Sequence, residues 1–316
     1  LPSYLKTRTL LNDRYIVGKV LKVNGESVLY VAYDTVKAER VCIREFMPDA
    51  LCSRKPESDE IIVNPNCLAQ YKTLLSEFVE LNKSLSKLRT ISQLATVFEM
   101  FPQNNTAYVV LEYVGGVSLN NYLRLNAGEL SWDKVKDLFT QVFTALNLIH
   151  AEGIIHKGLS PETIYVINDS KCKITDFCIS EARTANSEIA AELFAGYTAP
   201  EQYSSSNWHG TWTDVYSLAA VLYRCLTGCM PPESLTRTAN DNLSEPDKVN
   251  NQIPHNVSKA ISNAMRISTE TRTKTIDTFL TELFEQPAYI NEEPKKKETD
   301  TPSSTKISKK DSLSEE

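Results

Sequence analysis

Short apolar runs alternating with polar residues dominate the first third of the chain. Tyr15-Ile16-Val17, Val28 to Tyr33 and Arg40 to Phe46 are such runs and are rich in β-branched and aromatic residues. That pattern predicts strands of an antiparallel sheet. Between residues 68 and 88 the spacing is helical: Leu74, Leu75, Phe78, Leu81, Leu85 and Leu88 fall on one side of an amphipathic helix. Ala107 to Tyr113 reads as a further strand, and Gly115-Gly116 then breaks the pattern as a hinge. Beyond Ser118 the spacing is mainly helical, most clearly over Trp132 to Ala151 and Thr213 to Thr227. Residues 292–316 almost lack large apolar side chains and are rich in Lys, Ser, Thr and Glu. Such a composition cannot bury a core, so a disordered tail or linker is expected there. The chain thus divides into residues 1–114, 115–291 and 292–316.

Composition narrows the function classes. With 316 residues the chain can build two lobes with large cores, and 41% hydrophobic with 23% charged residues is ordinary for a globular protein. A net charge of -6 gives no reason to expect a nucleic-acid partner. The seven cysteines are scattered without a C-x-x-C pair or supporting histidines, which suits a reduced set of small core residues rather than a zinc site. The longest apolar run, Val215 to Tyr223, is too short to span a bilayer. A cytoplasmic location is expected.

The candidate chemistry lies in Ile155-His156-Lys157-Gly158-Leu159-Ser160-Pro161-Glu162-Thr163-Ile164. This stretch resembles the protein kinase catalytic loop, H-R-D-L-x-x-x-N, and the resemblance extends over roughly residues 8 to 285. It implies an α+β, two-lobed fold: an antiparallel sheet with one helix in the N-lobe and a mainly helical C-lobe. Ala199-Pro200-Glu201 matches A-P-E, with Arg272 at the position of its ion-pair partner. Asp214 stands where the family anchors the catalytic loop, and Leu85, His156 and Phe177 match its interlobe hydrophobic column.

The departures are chemical. Gly158 stands where an Asp accepts the substrate hydroxyl proton, Thr163 where an Asn holds magnesium, and Ser160 where a Lys is usual. Lys22, Asn24 and Ser27 occupy the three glycine positions of the loop over the ATP phosphates, and Glu26 adds a negative charge there. Gly25 reads as a hairpin turn. Arg44 replaces the phosphate-contacting lysine, and Leu81 falls where its Glu partner belongs, with Glu77 or Glu80 as substitutes if the helix is rotated. Leu29, Cys42 and Tyr165 point to a nucleotide cleft filled by side chains, while Asp176 of Asp176-Phe177-Cys178 is the one surviving magnesium ligand candidate.

The resemblance therefore implies a pseudokinase rather than an enzyme. No cofactor is expected, with ATP and magnesium bound weakly at most. Its partners would be proteins, such as an active Ser/Thr kinase or the substrates of one, and its role that of scaffold, allosteric regulator or signalling module. The alternative is an atypical ATP-dependent phosphotransferase that draws its lysine from Lys19 or Lys22 and uses Asp176. The N-terminal run and Ile43 to Pro48 resemble kinase domains of Gram-positive bacteria, which implies the cytosolic part of a membrane-anchored protein. Thr184 and Ser187 read as phosphosites that Lys157 could meet.

Overall fold

In the computed structural model, residues 4–284 are described; the expected tail, 292–316, lies outside them. The β-rich runs do build the sheet. Strands β1 (Leu10–Leu11), β2 (Tyr15–Val23), β3 (Ser27–Asp34) and β4 (Glu39–Phe46) follow one another. The hairpin β5 (Cys52–Arg54) and β6 (Ile61–Val63) then precedes helix α1 (Leu68–Ser86), after which β7 (Val97–Gln103) and β8 (Thr106–Glu112) complete the lobe. Six strands form one antiparallel sheet in the order β1-β2-β3-β4-β8-β7, and β5 pairs with β6 alone. α1 turns Tyr71, Leu74, Phe78, Asn82 and Leu85 inward, with Phe46 tilted against both Tyr71 and Phe78.

A buried polar cluster ties this lobe together. The Glu45 carboxylate, fully buried, accepts from Tyr30 Oη at 2.9 Å, Tyr108 Oη at 2.6 Å and Arg54 at 2.5 Å. Tyr30 Oη in turn accepts the Leu5 backbone N–H. A buried carboxylate is tolerable only when paired and hydrogen-bonded in this way. The hairpin β5–β6 was not foreseen, because three-residue strands around a polar turn carry too little periodicity.

Gly116, with φ of 98°, begins the link to the second lobe; a Cβ there would lie 2.3 Å from the Val166 carbonyl oxygen. Strand β9 (Val117–Ser118) then leads into α2 (Leu119–Leu125) and the long α3 (Trp132–Ala151). β10 (Ile164–Asn168) and β11 (Lys171–Ile174) form a small sheet with β9. Helix α4 (Thr211–Thr227) is buried on nearly every side and starts two residues before the predicted Thr213. The shorter α5 (Ser234–Ala239), α6 (Pro246–Val249), α7 (His255–Ala264) and α8 (Ile276–Phe284) pack around it and α3. Among the described residues no helix is long and apolar enough to cross a membrane.

Candidate functional site

The catalytic loop is held from below by α4. Asp214, wholly buried, accepts from His156 N at 2.8 Å and Lys157 N at 2.7 Å and pairs with His150 Nε2 at 2.8 Å. His156 packs edge-on against Phe177 at 4.5 Å between ring centroids. Burial lowers the His156 pKa to about 4. Glu201 and Arg272 form the expected ion pair, with contacts of 2.8–3.1 Å in a buried setting. The structural signatures read from sequence therefore sit where they were expected.

The departures form a coherent arrangement of their own. Gly158 has no room for a side chain: a Cβ would meet Arg183 Nε at 2.6 Å and Cζ at 2.7 Å. The Arg183 guanidinium is fully buried and bonds Asp176 Oδ2 at 2.8 Å, the Asp176 carbonyl at 3.0 Å and Glu192 Oε2 at 2.8 Å. Thr163 Oγ1 donates to the Gly158 carbonyl at 2.7 Å and accepts from Ser160 N at 3.0 Å. With Ser160 it makes a closed hydroxyl cluster inside the loop.

Asp176 is the hub. Lys22 Nζ lies 2.5 Å from its Oδ2 and Arg44 3.0 Å from its Oδ1, in addition to Arg183. Burial alone would raise its pKa, but Arg183, Lys22 and Arg44 outweigh that and hold the carboxyl well below the usual range. Arg44 also donates to the Phe177 carbonyl and approaches Glu26 at 4.0 Å. So Glu26 does not project toward a phosphate site: it is fully buried and accepts from Ile179 N at 2.8 Å. Glu80 pairs with Lys83, and Glu77 faces Glu181. Neither takes the helix partner role toward Arg44, and Leu81 packs partly buried against the core. Burial first, then the Glu181 carboxylate, pushes Glu77 up to about 7.

Asn24 and Ser27 shape the loop rather than obstruct it. Asn24 Oδ1 accepts from Glu26 N, Ser27 N and Ser27 Oγ at 2.9–3.1 Å. Asn24 Nδ2 reaches Cys178 Sγ at 3.3 Å. Gly25 is more than a turn residue: a Cβ would lie 1.9 Å from the Ala190 carbonyl oxygen, so the activation segment passes directly against the loop tip.

The expected side-chain-filled cleft is not found. A cavity of about 500 Å³ remains, lined on its apolar side by Leu29, Cys42, Leu111 and Tyr165 and on its polar side by Lys22, Asp176 and Glu192. Tyr165 forms part of the wall without closing it. The phosphosite expectation also changes. Thr184 is 5% exposed and donates to the Ser180 carbonyl, Ser187 donates to the Glu181 carbonyl, and Lys157 Nζ bonds Ser180 Oγ instead. Arg183, Glu192 and Phe194 were missed in the sequence. The one signal was a glycine in place of an acid, and nothing local links it to an arginine 25 positions on.

A comparison with known families decides the identity: the family model described as "Protein kinase domain" matches residues 64–288. The chain belongs to the protein kinase domain family. Among curated proteins it is 26% identical over 295 residues to a probable serine/threonine-protein kinase of Clostridium acetobutylicum, covering 90% of this chain and 42% of that protein. It is 28% identical over 222 residues to the probable serine/threonine-protein kinase PknB of Lactococcus lactis, covering 69% of this chain and 32% of that protein. The chain thus spans less than half the length of these relatives. The solved structure titled "PpkA-294 apo form" matches with a TM-score of 0.73 at 23% identity, over 89% of this chain and 99% of that one, which shows the fold.

These findings correct the expectation that the chain is not an enzyme. Its family is an enzyme family, and its bacterial relatives are named protein kinases. Kinases of this family use ATP with magnesium. The polar wall of the kinase cleft here does not suit that ion. Both Asp176 oxygens are held by cations, and the Thr163 hydroxyl is spent inside its loop.

Proposed function

We propose that this kinase domain serves as a signalling module that acts through a protein partner, as scaffold or allosteric regulator of a Ser/Thr kinase. The observation that carries the reading is the Asp176 hub. One carboxylate joins the glycine-loop position Lys22, strand β4 through Arg44 and the activation segment through Arg183. Both lobes and the segment are thereby fastened as one body, while the fold-holding pairs Asp214–His156 and Glu201–Arg272 stay intact. A fixed activation segment is a defined surface for a partner. The test is the rate of an active Ser/Thr kinase domain encoded in the same genome, measured with and without this chain. A saturable change in rate that Asp176→Ala removes supports the reading. Unchanged rate together with no measurable association refutes it.

A second reading rests on a different observation. Lys22 Nζ sits 2.5 Å from Asp176 Oδ2 on the wall of an open cavity, so a phosphate entering there would meet a lysine on β2 instead of one on β4. This supports an atypical phosphotransferase with Lys22 as the phosphate contact and Asp176 as its partner. The expected outcome is ATP turnover that falls on Lys22→Met and on Asp176→Asn. Turnover indifferent to both would refute the assignment.

A further inference from the structure

A second cavity, of about 270 Å³, opens where the activation segment meets the loop that precedes α4. Lys157, Ser180, Glu181, Ser187, Trp208 and His209 are among its walls, and no residue lines both it and the interlobe cavity. Trp208 is 86% exposed, more than any other large apolar side chain among the described residues. An indole left in water beside a concavity has the character of a docking point, since Trp anchors interfaces through its large rigid face.

The charges around this cavity are unbalanced. Glu181 Oε2 is cut off from water and has no hydrogen-bond donor among the described residues. Glu77 on α1 faces it, and a second carboxylate can donate only while it holds a proton. Burial first, then Glu181, accordingly pushes the Glu77 pKa up to about 7. Lys157 faces Asp214 and both glutamates, yet its Nζ bonds Ser180 Oγ at 2.8 Å instead of closing an ion pair. His209 Nε2 lies 3.3 Å from the Glu201 carbonyl, and burial and Lys157 lower its pKa. The site thus combines two carboxylates short of a cation with an open aromatic face.

We propose that this pocket docks an arginine side chain of a partner protein, its guanidinium paired with Glu181 and Glu77 and laid against the Trp208 indole. A planar guanidinium suits both contacts: its fork matches carboxylate oxygens and its face stacks on an indole. Lysine supplies the charge without the fork or the plane. A phosphate would be repelled by two carboxylates and would find the one lysine already engaged. The volume also falls below the roughly 300–1,000 Å³ usual for small-molecule sites, which suits a single side chain carried on a partner's surface. The pocket gives the partner reading a contact point and rests on that reading, but it is measured by direct binding and not by a kinase rate.

The experiment is calorimetric titration of the full 316-residue chain with short blocked peptides that differ only in a central arginine, lysine, alanine or phosphoserine. The arginine peptide is expected to bind, the lysine peptide to bind severalfold more weakly, and the other two not to bind. Glu181→Gln should weaken arginine binding about tenfold or more, and Trp208→Ala about threefold. Trp208 faces solvent, so its removal leaves the core untouched. The guanidinium replaces the proton between the glutamates, so binding should strengthen from pH 6 to pH 8 and release a proton at pH 6. Both effects should vanish in Glu77→Gln, which separates Glu77 from His209. Equal binding of arginine and lysine peptides, a preference for phosphoserine or no binding at all would overturn the proposal. So would an affinity indifferent to pH, or to both Glu181→Gln and Trp208→Ala. A kinase rate unaltered by the chain, with arginine binding intact, removes the partner reading and leaves the pocket; the reverse pattern removes the pocket alone.

Discussion

A double substitution at Gly158 and Arg183 tests whether glycine at the catalytic-loop position is a packing requirement. In Gly158→Ala the new Cβ lies 2.6–2.7 Å from the Arg183 guanidinium, inside normal contact distance. That guanidinium cannot swing aside, because Asp176 and Glu192 fix it at 2.8 Å each. Overpacking of this kind costs about 1–3 kcal/mol. Arg183→Met removes one partner of a buried ionic cluster, which costs about 3–5 kcal/mol. The low end applies, since Asp176 keeps Lys22 and Arg44. If the two losses were independent, the double variant would lose about 4–6 kcal/mol. The geometry says otherwise: once the guanidinium and the ion pairs that fix it are gone, the uncharged side chain at position 183 is free to turn away from the methyl added at position 158. The double variant is expected to be no less stable than Arg183→Met, a coupling of about 1–3 kcal/mol. Urea unfolding of all four chains at constant m-value measures it. Losses that add to within about 0.5 kcal/mol would refute the steric account.

Three further outcomes are expected. Glu77 has a folded pKa of about 7, above its ordinary value, so its contribution is complete below pH 4.5 and is lost as pH rises toward 7. The stability of Glu77→Gln relative to wild type should therefore rise between pH 5 and 7; a flat difference would contradict this. Gly25→Ala places a methyl against backbone, which no rotamer change relieves, so amide exchange of residues 189–194 should accelerate while the β2–β3 hairpin stays protected. Arg272→Met strands the buried Glu201 carboxylate and should cost about 3–5 kcal/mol in a denaturant melt.

The fold was legible in the sequence because its elements carry strong local signals. The β-branched and aromatic runs in Val28 to Tyr33 and Arg40 to Phe46 and the helical spacing in Trp132 to Ala151 are local signals, and each became the element expected. The positions of departure were legible for the same reason, since Gly158, Thr163 and Arg44 sit inside short recognisable stretches. What those positions do was not. Glu26, read as a charge facing a phosphate, turns inward because Ile179 N and Arg44 offer it partners from distant segments. Tyr165 was read as a plug because residue size was visible and wall curvature was not. Arg183 and Glu192 escaped entirely: their meaning comes from Asp176 and Lys22, up to 170 positions away, and no local pattern announces an ion pair across two lobes.

The Glu45 cluster has a consequence for where this protein can be cut. The family match begins at residue 64, yet Glu45, Tyr30 and Arg54 all precede that point, while Tyr108 follows it. A fragment starting there would keep β7 and β8 and discard β1 to β4, leaving a two-stranded ribbon beside α1 where a six-stranded sheet had been. Such a ribbon is marginal in water on its own. Tyr108 Oη would lose its acceptor, and Phe78 would lose the Phe46 ring it packs against. Residues 5 to 63 are thus structural members of the small lobe, and any shortened version made for binding or exchange measurements should start no later than Leu5, whose amide closes the cluster through Tyr30.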